Sequence, residues 1–266
     1  MKVLIKKKHN FCFFLLFFIV SCDLTSNLYK EILEAQELVK AQSFEKASIK
    51  YESILKKNPT DNLKIKINFQ LGDIYSIYLN NQDKAITHYN TVLELADDPL
   101  WQMKVLEKLA DIHFNYTKNY KQAMNYYEIL QKFEPKLENY DYYQFQVGLI
   151  YFELEDYKMA EKQFLLISQD KNHKYYTHSF YYIGLNYFYE KKWSKSIDAM
   201  IEYIKREKEK SKIIEAKFIL ANAYETSEEL KKAYNIYYSI LGEYPNPQVI
   251  KNRLKSLFER RVARKR

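Results

Sequence analysis

Hydrophobic residues recur along most of the chain at spacings of three and four positions, the period of a helix with one buried face, and no stretch alternates as a half-buried strand would. Two series of small residues are set into this pattern, and each returns every 36 to 38 positions. The first series is Ala35, Gly72, Ala110, Gly148, Gly184 and Ala221, and the second is Ala47, Ala85, Ala123, Ala160, Ser196 and Ala233. Small residues suit places where helices cross closely, so the double series predicts repeating pairs of helices.

The composition agrees with a helical chain. Only 4 Gly and 5 Pro occur among 266 residues, too few for the frequent turns of an all-β fold, and 47% hydrophobic residues suffice for a buried core. We therefore predict an all-α protein. Helical repeat arrays are quasi-one-dimensional stacks that usually present a surface to other chains, so binding is the first functional hypothesis.

Further residues keep fixed offsets from the small positions, as the second repeat illustrates. There Leu71 and Gly72 are followed by Tyr75, and Ala85 is followed four positions later by Tyr89. The leading pairs of the later units are Leu109-Ala110, Val147-Gly148, Ile183-Gly184 and Leu220-Ala221, and Pro59, Pro135 and Pro245 close several units. This pattern resembles the tetratricopeptide repeat, in which a Leu-Gly or Leu-Ala pair, a Tyr, a later Ala, an aromatic residue and a terminal Pro mark two helices.

The resemblance implies a superhelical solenoid of about six helix-turn-helix repeats over residues 27–246. Residues 247–266 are then predicted to form a capping helix and a basic tail. The residues expected on the apolar face of this helix are Ile250, Leu254, Leu257 and Phe258. The period exceeds the family's usual 34 residues, so we expect longer links between repeats. Repeats two and three are also expected to carry one extra residue in the inner turn, near Asn80 and Asn119.

The first residues predict export. Residues 2–9 include four Lys, and Phe11–Val20 is apolar almost without interruption, but these ten residues are too few to span a bilayer as a helix. The run ends in the sequence Ile-Val-Ser-Cys at Cys22, which resembles the bacterial lipoprotein signal. The resemblance implies a signal peptide over residues 1–21, lipidation of Cys22, for example by palmitate, and a lipidated linker over residues 22–26. The alternative is that Cys22 is an incidental cysteine.

The net charge and its distribution do not indicate a nucleic-acid-binding surface. Without the four leader lysines, Lys and Arg fall from 42 to 38 against 34 acidic residues, a net charge of about +4. Signs are interspersed along the chain, so we expect no nucleic-acid binding. The single basic cluster is Arg260, Arg261, Arg264, Lys265 and Arg266. We interpret this cluster as favourable charge at a helix C-terminus followed by a solvated tail, and a lipid or partner contact is the alternative.

The family resemblance also implies where a partner binds, because in these superhelices the first helix of each repeat lines the concave surface. The corresponding residues of repeats four and five are Tyr142, Phe145, Leu149, Phe152, His178, Tyr181, Leu185, Phe188 and Tyr189. Aromatic residues dominate the energetic centres of protein interfaces, so we predict an aromatic trough that holds a partner helix or extended peptide. The alternative is that these side chains pack between neighbouring helices.

Residue patterns that carry chemistry are missing from the sequence. The histidines His88, His113, His173 and His178 lack the spacing of metal ligands. Neither a Gly-rich phosphate loop nor a nucleophile elbow occurs. We therefore predict no enzymatic activity, no catalytic residues, no metal, no cofactor and no small-molecule substrate.

The combination of a lipoprotein signal and a tetratricopeptide array resembles the periplasm-facing lipoproteins that scaffold envelope assembly, such as the BamD family of the outer-membrane β-barrel assembly machinery. The chain departs from that family in its number of repeats and lacks the family's motif in the first unit. The resemblance implies an adaptor in the bacterial cell envelope whose partners are other envelope proteins or peptides. A surface-exposed lipoprotein and an accessory adaptor for a peptidoglycan enzyme are the alternatives.

Overall fold

A computed structural model describes residues 27–263. The predicted signal peptide, the linker with Cys22 and the last three residues of the basic tail lie outside the described residues. Within residues 27–263 the chain forms helices joined by short links and no strands, which confirms the predicted all-α class. The described chain divides into two compact units, the first ending at Lys118 and the second beginning at Asn119.

The helices of the first unit are α1 (residues 27–40), α2 (Phe44–Leu55), α3 (Asp61–Asp73), α4 (Gln82–Leu95) and α5 (Pro99–Asn115). Those of the second unit are α6 (Tyr120–Gln131), α7 (Tyr140–Glu153), α8 (Tyr157–Gln169), α9 (Tyr176–Tyr189), α10 (Trp193–Arg206), α11 (Lys210–Thr226), α12 (Leu230–Ile240) and α13 (Pro247–Ala263). Successive helices within each unit pack on one another, as α3 does on α4 and α9 does on α10. This succession is the array of helix pairs that the repeat pattern predicts.

The small residues lie at the closest approaches between helices. Gly72 of α3 faces the ring of Tyr89 in α4 so closely that a Cβ atom at Gly72 would lie 2.4 Å from Tyr89 Cε1. Where repeat five has Ser196 in place of Ala, its buried hydroxyl donates to the carbonyl of Gly184 at 2.8 Å. A buried hydroxyl with a partner avoids the loss of hydrogen bonding that burial would otherwise bring, so the repeat tolerates this exception.

The inner turns of the repeats are closed without glycine. In the described chain, one residue of each of six inner turns has the left-handed backbone that usually favours Gly. These residues are Gln42, Asn80, Lys118, Glu155, Lys191 and Glu228, with φ between 49° and 65°. In repeat four the Asp156 N–H then donates to the Tyr151 carbonyl at 2.9 Å, the long bond of a Schellman motif. The Asp156 side chain also accepts from the Met159 N–H at 3.1 Å and so begins α8.

The extra residues of repeats two and three are accommodated in a different place from the one predicted. In repeat two, α3 continues into a π-helical turn over Ile74–Tyr78, closed by a bond from the Leu79 N–H to the Ile74 carbonyl at 3.1 Å. In repeat three, the Thr117 N–H donates to the Ile112 carbonyl, also five residues back, at 3.2 Å. The additional residue therefore widens the last helical turn instead of lengthening the inner turn, because the wider turn keeps the backbone bonded.

Helix α13 covers the end of the second unit, as predicted for a capping helix. Ile250 and Leu257 are fully buried and Leu254 is nearly so, and all three join the core formed with α10, α11 and α12. Phe258 does not share this face, because its side chain is 59% exposed. Its prediction as a buried capping residue is therefore wrong: Leu257 already occupies the buried position, and the next residue lies about 100° further around the helix.

Candidate protein-binding surface

The aromatic residues predicted to bind a partner lie on α7 and α9, the first helices of repeats four and five. Helix α7 packs against both α6 and α8, and α9 packs against both α8 and α10. A helix with neighbours on two sides carries apolar residues on more than one side. Aromatic residues at three- and four-residue spacing on these helices therefore serve first to fill the spaces between helices.

One group of the predicted residues fills the space between α7 and α9. Phe145 stacks on Tyr175 with ring centroids 4.4 Å apart and meets Tyr182 edge-on at 5.4 Å. Tyr142 lies 6.4 Å from the same Tyr175, and His178 lies 6.4 Å from Phe145. Only 7% of Phe145 is exposed, so this residue belongs to the core and not to an open trough.

A second group lies on another side of α9. Tyr181, Leu185 and Phe188 are half-buried against the core of α10 to α13, whereas Leu149 packs against the core that contains Phe145. The Tyr181 ring lies 5.2 Å from that of Tyr203, and burial raises the pKa of Tyr181 to about 12. Six of the nine predicted residues therefore pack against two separate cores, Phe145, Leu149 and Phe152 on one and Tyr181, Leu185 and Phe188 on the other.

The exposed part of the set lies where α7 and α9 end. Tyr189 is 55% exposed, and its ring stacks in parallel on Tyr157 at 6.0 Å and meets Phe152 edge-on at 5.6 Å. The ring centroid of Phe188 lies 6.2 Å from that of Tyr189 and 5.2 Å from that of Trp193. We call these five residues, Phe152, Tyr157, Phe188, Tyr189 and Trp193, the aromatic edge. Four of its rings are half-buried, and three of these, Phe152, Tyr157 and Phe188, contact the exposed Tyr189.

Two residues of the aromatic edge were not identified from the sequence. Tyr157 and Trp193 are the first residues of α8 and α10, and each precedes a small residue of the second series by three positions. Phe44 has the same place in repeat one, where it stacks on the half-exposed Tyr78 with centroids 3.8 Å apart. The recurrence of a large residue at this offset is the signal that would have identified these contacts. Phe44 and Tyr157 contact the end of the following first helix, and Trp193 contacts Phe188 at the end of the preceding one.

Charges of both signs border the aromatic edge. Glu153 and Glu155 follow Phe152 at the end of α7, and Lys191 and Lys192 follow Tyr189 at the end of α9; all four are exposed. Burial, together with the nearby Glu155 carboxylate, raises the pKa of Tyr157, so its hydroxyl stays protonated and can donate a hydrogen bond. The surface offers an apolar centre within a mixed polar rim, which is the usual composition of a protein interface.

The histidines His88 and His113 have structural contacts. His88 Nδ1 lies 2.8 Å from Asn68 Oδ1, and His113 Nδ1 lies 3.0 Å from Thr117 Oγ1. Burial lowers the pKa of both imidazoles. Among residues 27–263, no group of His, Cys, Asp and Glu side chains is arranged to hold a metal ion. The same range contains no helix with the length and apolar character needed to cross a membrane.

Comparison with known proteins identifies the repeat. A tetratricopeptide repeat family model matches residues 65–99. No curated protein sequence matches the chain. The fold is similar to that of a tetratricopeptide repeat protein from Parabacteroides merdae, at 15% identity and a TM-score of 0.58, with 88% of this chain and 99% of that chain covered.

Two further solved structures have the same fold. PilW, a type IV pilus biogenesis factor, is 14% identical with a TM-score of 0.56, covering 87% of this chain and 98% of its own. The apo form of RapI is 19% identical with a TM-score of 0.66, covering 90% of this chain and 77% of its own. The chain thus has the tetratricopeptide repeat fold, a scaffold for contacts between proteins.

Proposed function

We propose that this chain is a lipid-anchored scaffold of the bacterial cell envelope that holds a partner protein against its aromatic edge. The observation that carries the binding surface is Tyr189, a large ring that is 55% exposed and yet fixed by contacts with Phe152, Tyr157 and Phe188. A side chain already held in place loses little conformational freedom on binding, so the contact area it offers is used efficiently.

The partner proposed for this edge presents an apolar side chain or a short amphipathic helix. The half-buried rings around Tyr189 would exclude water from such a contact, and the tyrosine hydroxyls would bind polar groups at its margin. Charges of both signs surround the edge, so association would depend only weakly on ionic strength.

A paired substitution tests the surface. Tyr189→Ala removes the exposed ring, and Tyr238→Ala is a matched control, because Tyr238 belongs to the same unit, is 64% exposed and stacks on one neighbour, Tyr234. The tagged full chain is captured from detergent-solubilised membranes, and the co-purified proteins are quantified by mass spectrometry. We expect Tyr189→Ala to lose at least about tenfold of a partner that Tyr238→Ala retains. Equal recovery by both variants would reject the aromatic edge as the binding surface.

The membrane attachment is proposed from the sequence at Cys22 and is tested separately. Cys22→Ser is expected to abolish incorporation of labelled palmitate and to release the chain from the membrane fraction. Stable attachment needs several acyl chains, and the proposed anchor carries all of them on Cys22. Incorporation that persists in Cys22→Ser would show that the anchor lies elsewhere.

The identity of the captured partner decides between the proposed roles. A β-barrel assembly protein in near-stoichiometric amount supports a role in outer-membrane protein assembly similar to that of BamD. A wall hydrolase supports the alternative of an accessory adaptor for a peptidoglycan enzyme. Degradation of the folded array by protease added to intact cells supports the alternative of a surface-exposed lipoprotein.

A further inference from the structure

The positive charge of the chain is concentrated in α13 and the residues that follow it. Residues 247–266 contain eight Lys and Arg and one acidic residue, Glu259, a net charge of +7. Residues 22–246 contain 30 Lys and Arg against 33 acidic residues, a net charge of −3. So large a difference between one segment and the rest of a chain is typical of a surface that meets an anionic partner.

Structural contacts account for three of these eight cations. Arg260 Nη1 donates to Glu225 Oε1 at 3.1 Å, and Arg253 Nη1 lies 3.6 Å from the same oxygen. The guanidinium of Arg261 lies over the Tyr234 ring at 5.6 Å from its centroid. These contacts hold α13 to α11 and α12, so the three arginines stabilise the cap of the second unit.

Two lysines of α13 have no such role. Lys251 and Lys255 are exposed and form no ion pair within residues 27–263, although Glu259 follows Lys255 by four positions. Both lie in the first nine residues of the seventeen-residue α13, too far from its C-terminus to be stabilised by the helix dipole. Their charges are therefore available to an anionic partner. The other three basic residues, Arg264, Lys265 and Arg266, lie beyond the described chain.

Two exposed apolar side chains share the side of α13 that carries these lysines. Lys251, Lys255, Phe258 and Val262 follow one another at spacings of four, three and four residues, which places them within about 60° around the helix. Phe258 is 59% exposed and Val262 is 37% exposed. We call these four residues the basic stripe. It is centred about 100° from the buried face of α13, so the helix can cap the core and still present the stripe.

Cations interleaved with apolar side chains on an exposed helix match a membrane surface that contains anionic lipids. The lysine ammonium groups would lie among the phosphate headgroups, while Phe258 and Val262 would enter the boundary of the acyl chains. A nucleic acid would attract the same cations, but its phosphate backbone offers no apolar region to Val262. We propose that the basic stripe of α13 binds the surface of an anionic lipid bilayer. This contact does not require acylation of Cys22, and it is separate from the aromatic edge.

A fluorescent label at residue 262 tests the proposal. The full chain with Cys12→Ser, Cys22→Ser and Val262→Cys has one thiol, which carries a nitrobenzoxadiazole label, and no acyl anchor at Cys22. We expect brighter and blue-shifted emission with vesicles of phosphatidylcholine and phosphatidylglycerol, and no change with phosphatidylcholine alone. The same label at Thr87→Cys, on an exposed position of α4, is expected to stay unchanged with both. No change at residue 262, or equal changes with the two kinds of vesicle, would overturn the proposal.

A matched pair of double variants tests the role of the lysines. Lys251→Gln with Lys255→Gln removes both free charges of the stripe and is expected to abolish the change in emission at residue 262. Lys158→Gln with Lys162→Gln removes two exposed lysines at the same spacing on α8 and is expected to preserve it. All four side chains are exposed, so circular dichroism should show an unchanged fold. Equal losses in the two double variants would mean that only the overall charge matters, and the basic stripe would be rejected.

Replacement of the exposed ring distinguishes a bilayer from other polyanions. Phe258→Ala removes apolar area that would be buried in lipid, so about tenfold more anionic lipid should be needed for the half-maximal change. Tyr189→Ala removes a similarly exposed ring from the aromatic edge and is expected to have no effect. An unchanged lipid requirement in Phe258→Ala, together with suppression of the signal by duplex DNA, would identify a general polyanion surface and overturn the proposal.

Discussion

Replacing Gly72 by Ala tests whether the missing side chain sets the distance between α3 and α4. The added Cβ would lie 2.4 Å from Tyr89 Cε1, and the Tyr89 ring is fully buried. The ring cannot swing aside easily, because its hydroxyl donates to Asp73 Oδ1 at 2.7 Å. Overpacking of this kind costs about 1–3 kcal/mol, and Ala regains about 0.5–1 kcal/mol relative to Gly within a helix. The free energy of unfolding is therefore expected to fall by about 1–2 kcal/mol.

Two other glycines are expected to show how the loss of stability depends on the facing side chain. A Cβ at Gly148 would lie 2.7 Å from a ring carbon of the buried Phe164, so Gly148→Ala is expected to resemble Gly72→Ala. At Gly184 the nearest atom is the terminal methyl of Met200 at 2.8 Å, which can move, so the loss is expected to stay below about 1 kcal/mol. Other repeats contain Ala at the matching position together with a buried tyrosine on the facing helix, as Ala110 and Tyr127 do, so the cost at Gly72 reflects the closer approach of α3 and α4 in this repeat.

Urea unfolding followed by far-UV circular dichroism measures these differences. Gly242→Ala is the control, because no atom outside its neighbours lies within 4 Å of the added Cβ and its φ is not positive. This variant is expected to be unchanged or more stable by about 0.4–1 kcal/mol. If Gly72→Ala were as stable as Gly242→Ala, the close approach of α3 and α4 would not depend on glycine, and the reasoning would be refuted.

Three further predictions concern buried polar groups. Arg260→Ala is expected to lower the free energy of unfolding by about 1–3 kcal/mol, because Arg260 Nη1 donates to the buried Glu225 at 3.1 Å. Hydrogen exchange should become faster in α13, and unchanged exchange there would contradict this prediction. Asn186→Ala should cost a similar amount in urea, because the fully buried Asn186 donates to the Tyr157 carbonyl at 2.9 Å, whereas an exposed-site Asn252→Ala control should not. Burial lowers the pKa of the imidazoles of His88, His113 and His173. The unfolded chain then binds more protons below pH about 6.5, so stability should fall between about pH 7 and pH 5, and replacement of the three residues by Gln should flatten this slope.

The fold could be predicted from the sequence because its signals are local and repeated. Small residues such as Gly72 and the aromatic residue of the facing helix, such as Tyr89, keep the same spacing in successive units, and the structure places them in contact. The capping face was predicted with one error at Phe258, because Leu254, Leu257 and Phe258 are close enough in sequence to suggest one stripe, and only the neighbouring helices decide which of them is covered.

The candidate site was less predictable from the sequence. The spacing of Phe145 and Tyr189 places both on first helices, but burial depends on rings contributed from the next repeat, and the two residues differ from 7% to 55% exposed.

The residues with left-handed backbone in the inner turns are positions at which single substitutions can raise the melting temperature of this chain. A residue with a Cβ atom costs about 1–2 kcal/mol in that backbone region, and Gly relieves the strain while giving back about 0.5–1 kcal/mol through a freer unfolded chain. Gly at Glu155 or Lys191 would therefore raise the melting temperature without altering either core. Glu228 is the exception, because its carboxylate binds Arg260. Since each repeat contacts mainly its neighbours, gains from distant turns should add, and a heat-resistant version of the array is accessible through backbone changes alone.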